Sequence, residues 1–471
     1  MNIVFCSSEV FPFAKTGGLA DVAGALPIAL EKLGCKVSIF LPCYKGIDTR
    51  HFEKVPGVNS DVFRARLGKK IDVYLIIKDE YYNRLGLYGD EHGDFPDNLD
   101  RFKFLCTETL ALIKFFGIKT DIVHCHDWQT ALIPVYLKEK YKDDDHFKNT
   151  KTLLTIHNLA FQGLFPKREF EKLGLSQELF CDEGFEFFDK VSFLKAGIIY
   201  SDGVNTVSQQ YALEIQTKEF GCGLENVLHS HRGQVVGILN GLDYDVWDPK
   251  VDQFLTQNFG RDDFADNKIG NKIALQKRFK LPRQAEVPLF GFVGRLAHQK
   301  GVDVILEMLQ DLGSMDIQVL IQGVGSGQYR KSLNDLAKQY PQKLALSFEF
   351  DESLAHQIYA GCDFFLMPSL FEPCGLSQMI SLAFGTIPIV YKTGGLADTI
   401  NEFDEKSGTG NGFLFDEYKK DAFIKEINKA AHAFHQKDMH QKLIKNAFDS
   451  RFTWEHSANK YIKEYQCLLS D

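Results

Sequence analysis

The chain lacks long hydrophobic runs and an excess of positive charge. No apolar run approaches the length that spans a bilayer, and the first residues form a strand-like segment instead of a basic, apolar leader. We therefore expect neither secretion nor membrane insertion. The net charge of −9 argues against nucleic acid as a partner, because nucleic-acid binding normally depends on a basic surface.

Paired cysteines and common catalytic signatures are also missing. The ten cysteines show no Cys-x-x-Cys spacing, and most lie in apolar runs, which is typical of buried residues in a reducing cytosol. No Ser-His-Asp order, Walker lysine motif or G-x-G-x-x-G fingerprint is convincing. The spacing of His124 and His126 invites a metal site, but no third ligand with matching spacing follows. We therefore expect no metal.

One seven-residue sequence occurs twice. Lys-Thr-Gly-Gly-Leu-Ala-Asp occupies residues 15–21 and again residues 392–398, each time after an apolar run and at the start of a predicted helix. The unpaired N–H groups and positive dipole of a helix N-terminus attract anions, which predicts a phosphate or a sugar at these positions. Glycine pairs also serve simple strand-to-helix turns, and one copy alone would favour that alternative.

The pattern of elements predicts an α/β protein with two doubly wound, Rossmann-like domains. A chain of 471 residues is too long for one core, and β-branched or aromatic runs alternate with helical patterns in both halves. We expect an N-terminal domain over residues 1–243, with a β insertion at about 52–78, and a C-terminal domain over 244–453. The polar stretch 243–283 is interpreted as the connection. Residues 454–471 are predicted to form a helix that packs back on the first domain.

Two groups of residues in the second half could carry chemistry. Arg295 follows a predicted strand and Lys300 opens the next helix, so two cations at the edge of a sheet could stabilise a leaving diphosphate. The alternative is a solvated basic loop. Glu372 lies in a tight loop ahead of the helix predicted to start at Leu376, where its carboxylate could accept hydrogen bonds from sugar hydroxyls. The N–H groups that follow it could bind an oxygen.

Taken together, the motifs resemble those of the bacterial glycogen synthases and plant starch synthases. These are glycosyltransferases of the GT-B architecture, with two Rossmann-like domains facing each other across a deep cleft. The resemblance covers nearly the whole chain and rests on eight motifs in one order: KTGGLADV, YGDEHGDFPDN, HCHDWQ, TIHNLAFQG, GILNGLD, VGRLAHQKG, PSLFEPCGLSQ and VYKTGGLADT. It implies transfer of glucose from ADP-glucose to the non-reducing end of glycogen or another α-1,4-glucan. The anomeric configuration would be retained, without a metal ion or other cofactor.

The resemblance also implies roles for individual residues. The implied catalytic residues are Lys15, His157, Arg295, Lys300 and Glu372. The implied donor-binding residues are Gly17, Gly18, Asn240, Phe350, Cys374, Gly375, Leu376, Ser377, Gly394, Gly395 and Leu396. Phe350 would stack on the adenine, and the last three would contribute their N–H groups. Asp21 and Asp127 would line the cleft on the acceptor side. Leu370 departs from the family pattern, in which Arg is common at this position.

Several alternatives remain open at this point. A related retaining transferase could use UDP-glucose or another acceptor. A non-catalytic homologue could bind nucleotide sugar or glucan, although all five implied catalytic residues are present. A phosphorylase would need pyridoxal phosphate and normally a longer chain. The mechanism could be a front-face displacement, which needs no enzyme nucleophile, or a double displacement, for which Glu372 is the only candidate that the motifs place in the second domain.

Overall fold

The computed structural model describes residues 1–231 and 234–470 and divides the chain into two compact units. The first unit contains Met1–Gly241 and the terminal segment that begins at Trp454, and the second contains Leu242–Thr453. The first boundary thus follows Gly241 and not residue 243, because the N–H of Leu242 donates to the carbonyl of Phe452 within the second unit. Asp471, the last residue of the expected terminal helix, lies outside the described residues.

A nine-stranded sheet forms the centre of the first unit. In spatial order its strands are Val236–Gly237, Gly203–Thr206, Lys151–Ile156, Ile122–His126, Asn2–Cys6, Lys36–Pro42, Ile71–Ile76, Val62–Leu67 and Glu53–Val55. The strands are parallel up to Ile71–Ile76, and the last two are antiparallel. The segment predicted as a β insertion forms three strands that continue the central sheet, because Ile71–Ile76 pairs in parallel with Lys36–Pro42.

Helices and two small sheets complete the first unit. The helices are Gly18–Lys32, Asp79–Tyr82, Asn98–Phe115, Asp127–Thr130, Leu132–Glu139, Phe193–Tyr200, Gln209–Glu214, Glu225–Ser230 and Trp454–Ser470, with short 3-10 turns at Lys167–Leu173 and Gln177–Leu179. The small sheets contain Leu164–Pro166, Lys190–Ser192 and Glu186–Phe187 in one, and Gly89–Asp90 and Gly93–Asp94 in the other. The terminal helix buries Ala458, Tyr461, Tyr465 and Leu468 in the core of this unit.

The second unit contains a six-stranded sheet that is parallel throughout. In spatial order its strands are Leu344–Ser347, Gln318–Gln322, Leu289–Val293, Phe364–Met367, Ile387–Tyr391 and Phe413–Phe415. Its helices are Phe264–Arg278, Val302–Leu309, Gly327–Gln339, Glu352–Gly361, Ser377–Ala383, Gly394–Thr399, Lys420–His435 and Lys437–Asp449, with 3-10 turns at His298–Lys300 and Leu312–Ser314. Over residues 1–231 and 234–470, the structure contains no helix that is both long enough and apolar enough to cross a membrane.

The polar stretch expected to connect the domains belongs to the second unit. It contains the helix Phe264–Arg278, whose Lys272 Nζ lies 2.7 Å from the Oδ2 of Asp363 in a buried ion pair. The ammonium of Lys268 is also buried and donates to the carbonyl of Ala360 at 2.9 Å and to the hydroxyl of Thr386 at 2.6 Å. Charged groups that are ion-paired or fully hydrogen-bonded can be buried, so a polar sequence here forms part of the core and not a linker.

Candidate active-site clusters of the two units

The glycine pair of the first repeated segment is exposed and has open space around it. The helix Gly18–Lys32 begins at this pair, and a Cβ added at Gly17 or Gly18 would meet no atom within 4 Å. Lys15 Nζ lies 2.6 Å from the Oδ1 of Asp21 in an exposed ion pair. The structure thus brings Lys15 and Asp21 together beside a backbone turn that a ligand can approach closely.

The buried carboxylate of Glu9 holds this turn in place. It accepts hydrogen bonds from the N–H of Thr16 at 2.5 Å and from its hydroxyl at 2.7 Å. It also accepts from the N–H of Gly17 at 3.2 Å and from the hydroxyl of Tyr88 at 2.6 Å. Sequence reasoning missed Glu9 and Tyr88. The only signals for them were the position of Glu9 just after the first strand and that of Tyr88 at the head of the YGDEHGDFPDN motif.

Asp127 and His157 directly follow two neighbouring parallel strands of the first unit. Ile122–His126 pairs with Lys151–Ile156, so the residues that follow them lie at the same edge of the sheet. The Oδ1 of Asp127 accepts the backbone N–H of His157 at 2.6 Å. His157 Nε2 lies 3.0 Å from the Nδ1 of His126. The carboxylate and the neighbouring histidine therefore fix the position of His157 from two sides.

The side chains of Asp127 and His157 have strongly shifted pKa values. Burial raises the pKa of Asp127 to about 7, and the negative charge of Glu9 acts in the same direction. Burial lowers the pKa of His157 to about 3, so its ring is neutral at pH 7. Asp127 also has a φ of 55°, in the left-handed region that residues other than glycine seldom adopt. Perturbed pKa values and backbone strain together are typical of functional sites.

Asn240 is buried in the first unit with an unsatisfied group. Its side-chain oxygen has no hydrogen-bond partner among the residues that the structure describes. Buried polar atoms nearly always have a partner, so this oxygen is available to a donor group of a ligand.

In the second unit, Gln299 links the loop of Arg295 to the loop of Glu372. Arg295 Nη2 donates to the Oε1 of Gln299 at 3.2 Å. The carbonyl of Gln299 accepts the N–H of Leu370 at 2.9 Å, and its side chain donates to the carbonyl of Phe371 at 3.3 Å. The residue that replaces the common Arg, Leu370, thus holds the two loops together through its backbone. Gln299 had no motif role in the sequence analysis, which therefore missed it.

Lys300 and Glu372 form the charged centre of this cluster. Lys300 Nζ lies 2.5 Å from the Oε2 of Glu372, and the hydroxyl of Ser369 donates to the same oxygen at 3.0 Å. The Glu372 side chain is only 10% exposed. The loop therefore presents Glu372 as a fixed, ion-paired carboxylate with Arg295 nearby on the linked loop.

Some backbone N–H groups that follow Glu372 are free to donate to a ligand. In the described part of the chain, the N–H groups of Gly375 and Leu376 have no protein acceptor. Cys374 is buried, and Ser377 begins the next helix. The N–H groups of Gly375 and Leu376 could therefore donate to an oxygen of a ligand, as the sequence analysis predicts.

The second repeated segment packs underneath the Glu372 loop. The N–H of Gly395 donates to the carbonyl of Glu372 at 3.0 Å, and the N–H of Leu396 donates to that of Thr393 at 3.0 Å. A Cβ at Gly394, whose φ is 42°, would lie 2.1 Å from the carbonyl oxygen of Glu372. The expectation that Gly395 and Leu396 direct their N–H groups to a ligand is therefore wrong for this structure, because both groups already have protein acceptors.

Phe350 lies apart from these clusters. The strand Leu344–Ser347 ends before Phe350, and the Phe350 side chain lies in the loop beyond, 89% exposed. In the described part of the chain, no hydrogen bond or ring contact links Phe350 to another predicted site residue. The ring is accessible for stacking, and its role stays a prediction.

The protein has two α/β units with mainly parallel sheets, and the second unit carries a cationic loop beside a fixed carboxylate. Together with the solved structure that it resembles, these features define a glycosyltransferase of the GT-B architecture. Comparison with known proteins identifies the family. Residues 2–230 match the model "Starch synthase catalytic domain", and residues 274–450 match "Glycosyl transferases group 1". The chain is 42% identical to the glycogen synthase of Geotalea daltonii over 100% of this chain and 99% of that protein. The chain belongs to the family of glycogen synthases and starch synthases.

Further relatives and solved structures agree. The glycogen synthase of Syntrophotalea carbinolica is 41% identical, covering 99% of this chain and 98% of that protein. The catalytic domain of starch synthase IV from Arabidopsis thaliana, bound to ADP and acarbose, has a TM-score of 0.91 and 31% identity, covering 100% of this chain and 99% of that one. A sucrose-phosphate synthase from Thermosynechococcus elongatus shares the fold, with a TM-score of 0.61 and 16% identity. The family resemblance and the two-domain GT-B fold expected from the sequence are confirmed.

Proposed function

We propose that the chain transfers the glucosyl group of ADP-glucose to the non-reducing end of an α-1,4-glucan and retains the anomeric configuration. The observation that carries this proposal is the cluster of Lys300, Glu372 and Ser369 with Arg295 on the linked loop. The relative that was solved with ADP and acarbose supports a nucleotide donor and a glucan acceptor. The ten free cysteines support a place in the reducing cytosol.

The second unit supplies the groups for the donor. Arg295 and Lys300 hold the diphosphate and stabilise the negative charge that develops on it as it leaves, because cations placed at a leaving group act most strongly in the transition state. Glu372 accepts hydrogen bonds from glucosyl hydroxyls, and its ion pair with Lys300 holds the carboxylate in place for that role.

The first unit supplies a neutral histidine, an exposed lysine and buried polar groups. His157 contacts the glucosyl group as an uncharged ring, and Lys15 with the Gly17-Gly18 turn contacts the donor phosphate and sugar. Asp127 holds the backbone of His157, and Asn240 offers its unpaired oxygen to a hydroxyl.

We infer a front-face mechanism, in which the leaving diphosphate helps to remove the proton of the incoming hydroxyl. The Oε2 of Glu372 already accepts from Lys300 and Ser369, which favours a fixed acceptor of hydrogen bonds over a nucleophile. A covalent glucosyl-Glu372 intermediate trapped with a slow donor analogue would overturn this inference.

The donor is tested by incubating the protein with glycogen and either labelled ADP-glucose or labelled UDP-glucose. We expect incorporation from ADP-glucose, with full activity in the presence of a metal chelator. Incorporation from UDP-glucose alone would refute the ADP assignment. Absence of incorporation from both would favour a non-catalytic homologue.

The leaving-group role is tested with Arg295→Ala and Lys300→Ala. Each variant should lower kcat by roughly 100- to 1000-fold, as expected for loss of a transition-state charge contact. Lys419→Ala is the matched control, because it removes an exposed lysine that pairs with Glu417 at 2.9 Å in the same unit. Arg295 is exposed, so its variant should fold normally. Full activity in both variants would show that the role is wrong.

A further inference from the structure

Three histidine rings lie side by side in the first unit. The ring centroids of His124 and His126 are 4.2 Å apart, and those of His126 and His157 are 5.3 Å apart. His126 is fully buried and stacks on Phe5 at 5.2 Å. The positions of the protons on these rings decide what His157 can offer to a ligand.

The proton on His124 is fixed by its hydrogen-bond partners. The hydroxyl of Thr155 has one proton, which it donates to the Oδ1 of Asn205 at 2.6 Å. The oxygen of Thr155 must therefore accept from the Nε2 of His124, 2.6 Å away. The Nδ1 of His124 is then an acceptor, and the hydroxyl of Tyr465 donates to it at 2.8 Å. Every member of this buried chain has a compatible role.

The proton on His126 follows from a different constraint. His126 Nδ1 lies 3.0 Å from His157 Nε2, so one of these two atoms donates to the other. The other nitrogen of His126, Nε2, is buried and has no partner among the described residues. If His157 were the donor, a neutral His126 would carry its proton on Nε2, as a buried N–H group without an acceptor. Orphaned buried N–H groups are rarer than under-satisfied acceptors, so His126 is the donor.

The charged forms of the two rings do not offer a third arrangement at pH 7. Burial lowers the pKa of His126 well below its ordinary value, with smaller contributions from the neighbouring histidines. Burial also lowers the pKa of His157 to about 3. Each ring therefore carries one proton.

We propose that His126 is a positioning residue: by donating its Nδ1–H to the Nε2 of His157, it holds His157 in the Nδ1–H tautomer. His157 then presents an N–H donor, and no ring acceptor, to a ligand. In the described part of the chain, the Nδ1 of His157 has no protein partner. The identity of the ligand group, a hydroxyl oxygen of the glucosyl unit, rests on the proposed function. The tautomer itself does not.

The tautomer is measured directly on the full chain labelled with ¹⁵N-histidine. The ring ¹⁵N chemical shifts show which nitrogen is protonated, and the signals of His157 are assigned by their loss in His157→Gln. We expect His157 of the unmodified protein to be protonated on Nδ1. A proton on Nε2 would overturn the proposal, whatever the enzymatic activity and whether or not any variant folds.

Variants then separate positioning from general stability. His126→Leu removes the donor and should let His157 populate the other tautomer, with kcat/KM lowered by about tenfold, the value of one hydrogen bond. Tyr465→Phe is the matched control, because it breaks a hydrogen bond of the same buried histidine cluster without touching the partner of His157. It should lower the melting temperature and leave both the tautomer and kcat/KM unchanged. The proposal fails if His126→Leu leaves the tautomer of His157 unchanged, or if both variants lower kcat/KM equally.

Discussion

The two copies of Lys-Thr-Gly-Gly-Leu-Ala-Asp share every residue and differ in almost every contact. Gly17 and Gly18 of the first copy are exposed, with nothing within 4 Å of an added Cβ. Gly394 and Gly395 of the second copy are buried, and an added Cβ would lie 2.1 Å and 2.0 Å from the carbonyl oxygens of Glu372 and Cys374. The same small residue thus gives access to a ligand in one place and close backbone packing in the other.

The difference shows that the surroundings of a motif decide its role. The first copy follows the first strand of its unit, and its turn is held by the Glu9 carboxylate. The second copy is held by the carbonyls of the Glu372 loop, so it supports that loop from below. We therefore propose ligand contact for the first copy, whereas the second copy supports the Glu372 loop.

The largest expected effect is that of Gly395→Ala. The new methyl group would lie 2.0 Å from the carbonyl oxygen of Cys374 and 2.5 Å from its carbonyl carbon, so the backbone must move. We expect a loss of about 3 kcal/mol in the free energy of unfolding, as for overpacked cores, and a fall in activity as the Glu372 loop shifts. Denaturant titration measures the first and glucosyl transfer the second. Gly17→Ala is the control, and equal stability losses in both variants would contradict the comparison.

The second prediction concerns the lysines that open the two copies. Lys15→Ala should lower kcat/KM for ADP-glucose by roughly 100-fold, the scale of a lost electrostatic contact in the transition state. Its exposed ion pair with Asp21 contributes little to folding, so the melting temperature should barely change. Lys392→Ala, which removes an exposed lysine of the second copy, should change kcat/KM by about twofold or less. Similar losses in the two variants would mean that the copies act alike.

The fold was largely predictable because hydrophobic periodicity marks buried strands and amphipathic helices. Asn2–Cys6, Lys151–Ile156 and Leu289–Val293 are such strands, since each is a short, mainly apolar or β-branched run. The helix Phe264–Arg278 was missed because two of its buried residues, Lys268 and Lys272, look exposed in the sequence. Their burial depends on Thr386 and Asp363, about 100 residues away, which no local pattern contains.

Site residues could be predicted where they belong to a motif that directly follows a strand. They could not be predicted where their role depends on a hydrogen bond to a residue distant in the sequence. Arg295, Lys300 and Glu372 follow strands of one sheet, and the structure brings Lys300 and Glu372 together. Glu9 lies in no helix or strand and acts through hydrogen bonds to Thr16 and Tyr88, partners that only the folded chain brings to it.

The third prediction concerns the pH dependence of stability that the buried carboxyl group of Asp127 causes. Asp127 has a pKa of about 7 in the folded protein against an ordinary 3.8, so between these pH values the native state keeps a proton that the unfolded state has lost. Stability from this group is therefore lost as the pH rises through that window. Relative to Asp127→Asn, the unmodified protein should lose about 2 to 3 kcal/mol of unfolding free energy between about pH 5 and about pH 8. His157 is present in both proteins and cancels.

The matched control for this pH dependence comes from the second copy. Its contacts are main-chain carbonyls of the Glu372 loop, which do not titrate. The destabilisation by Gly395→Ala should therefore be the same at both pH values. A constant difference between Asp127→Asn and the unmodified protein would show that the carboxyl of Asp127 is not perturbed by burial.

The smallest effect is expected for Gly18→Ala. This variant distinguishes the two explanations of the first glycine pair, close approach of a ligand and a simple strand-to-helix turn. Gly18 begins the helix Gly18–Lys32 and has open space around it, so alanine should raise stability by about 0.5 to 1 kcal/mol through helix propensity and a less flexible unfolded chain. If the glycine exists for close approach of the donor, the added methyl group should raise the KM for ADP-glucose several-fold while stability rises. A rise in stability with an unchanged KM would mean that the pair serves only the turn, as one copy alone would have suggested.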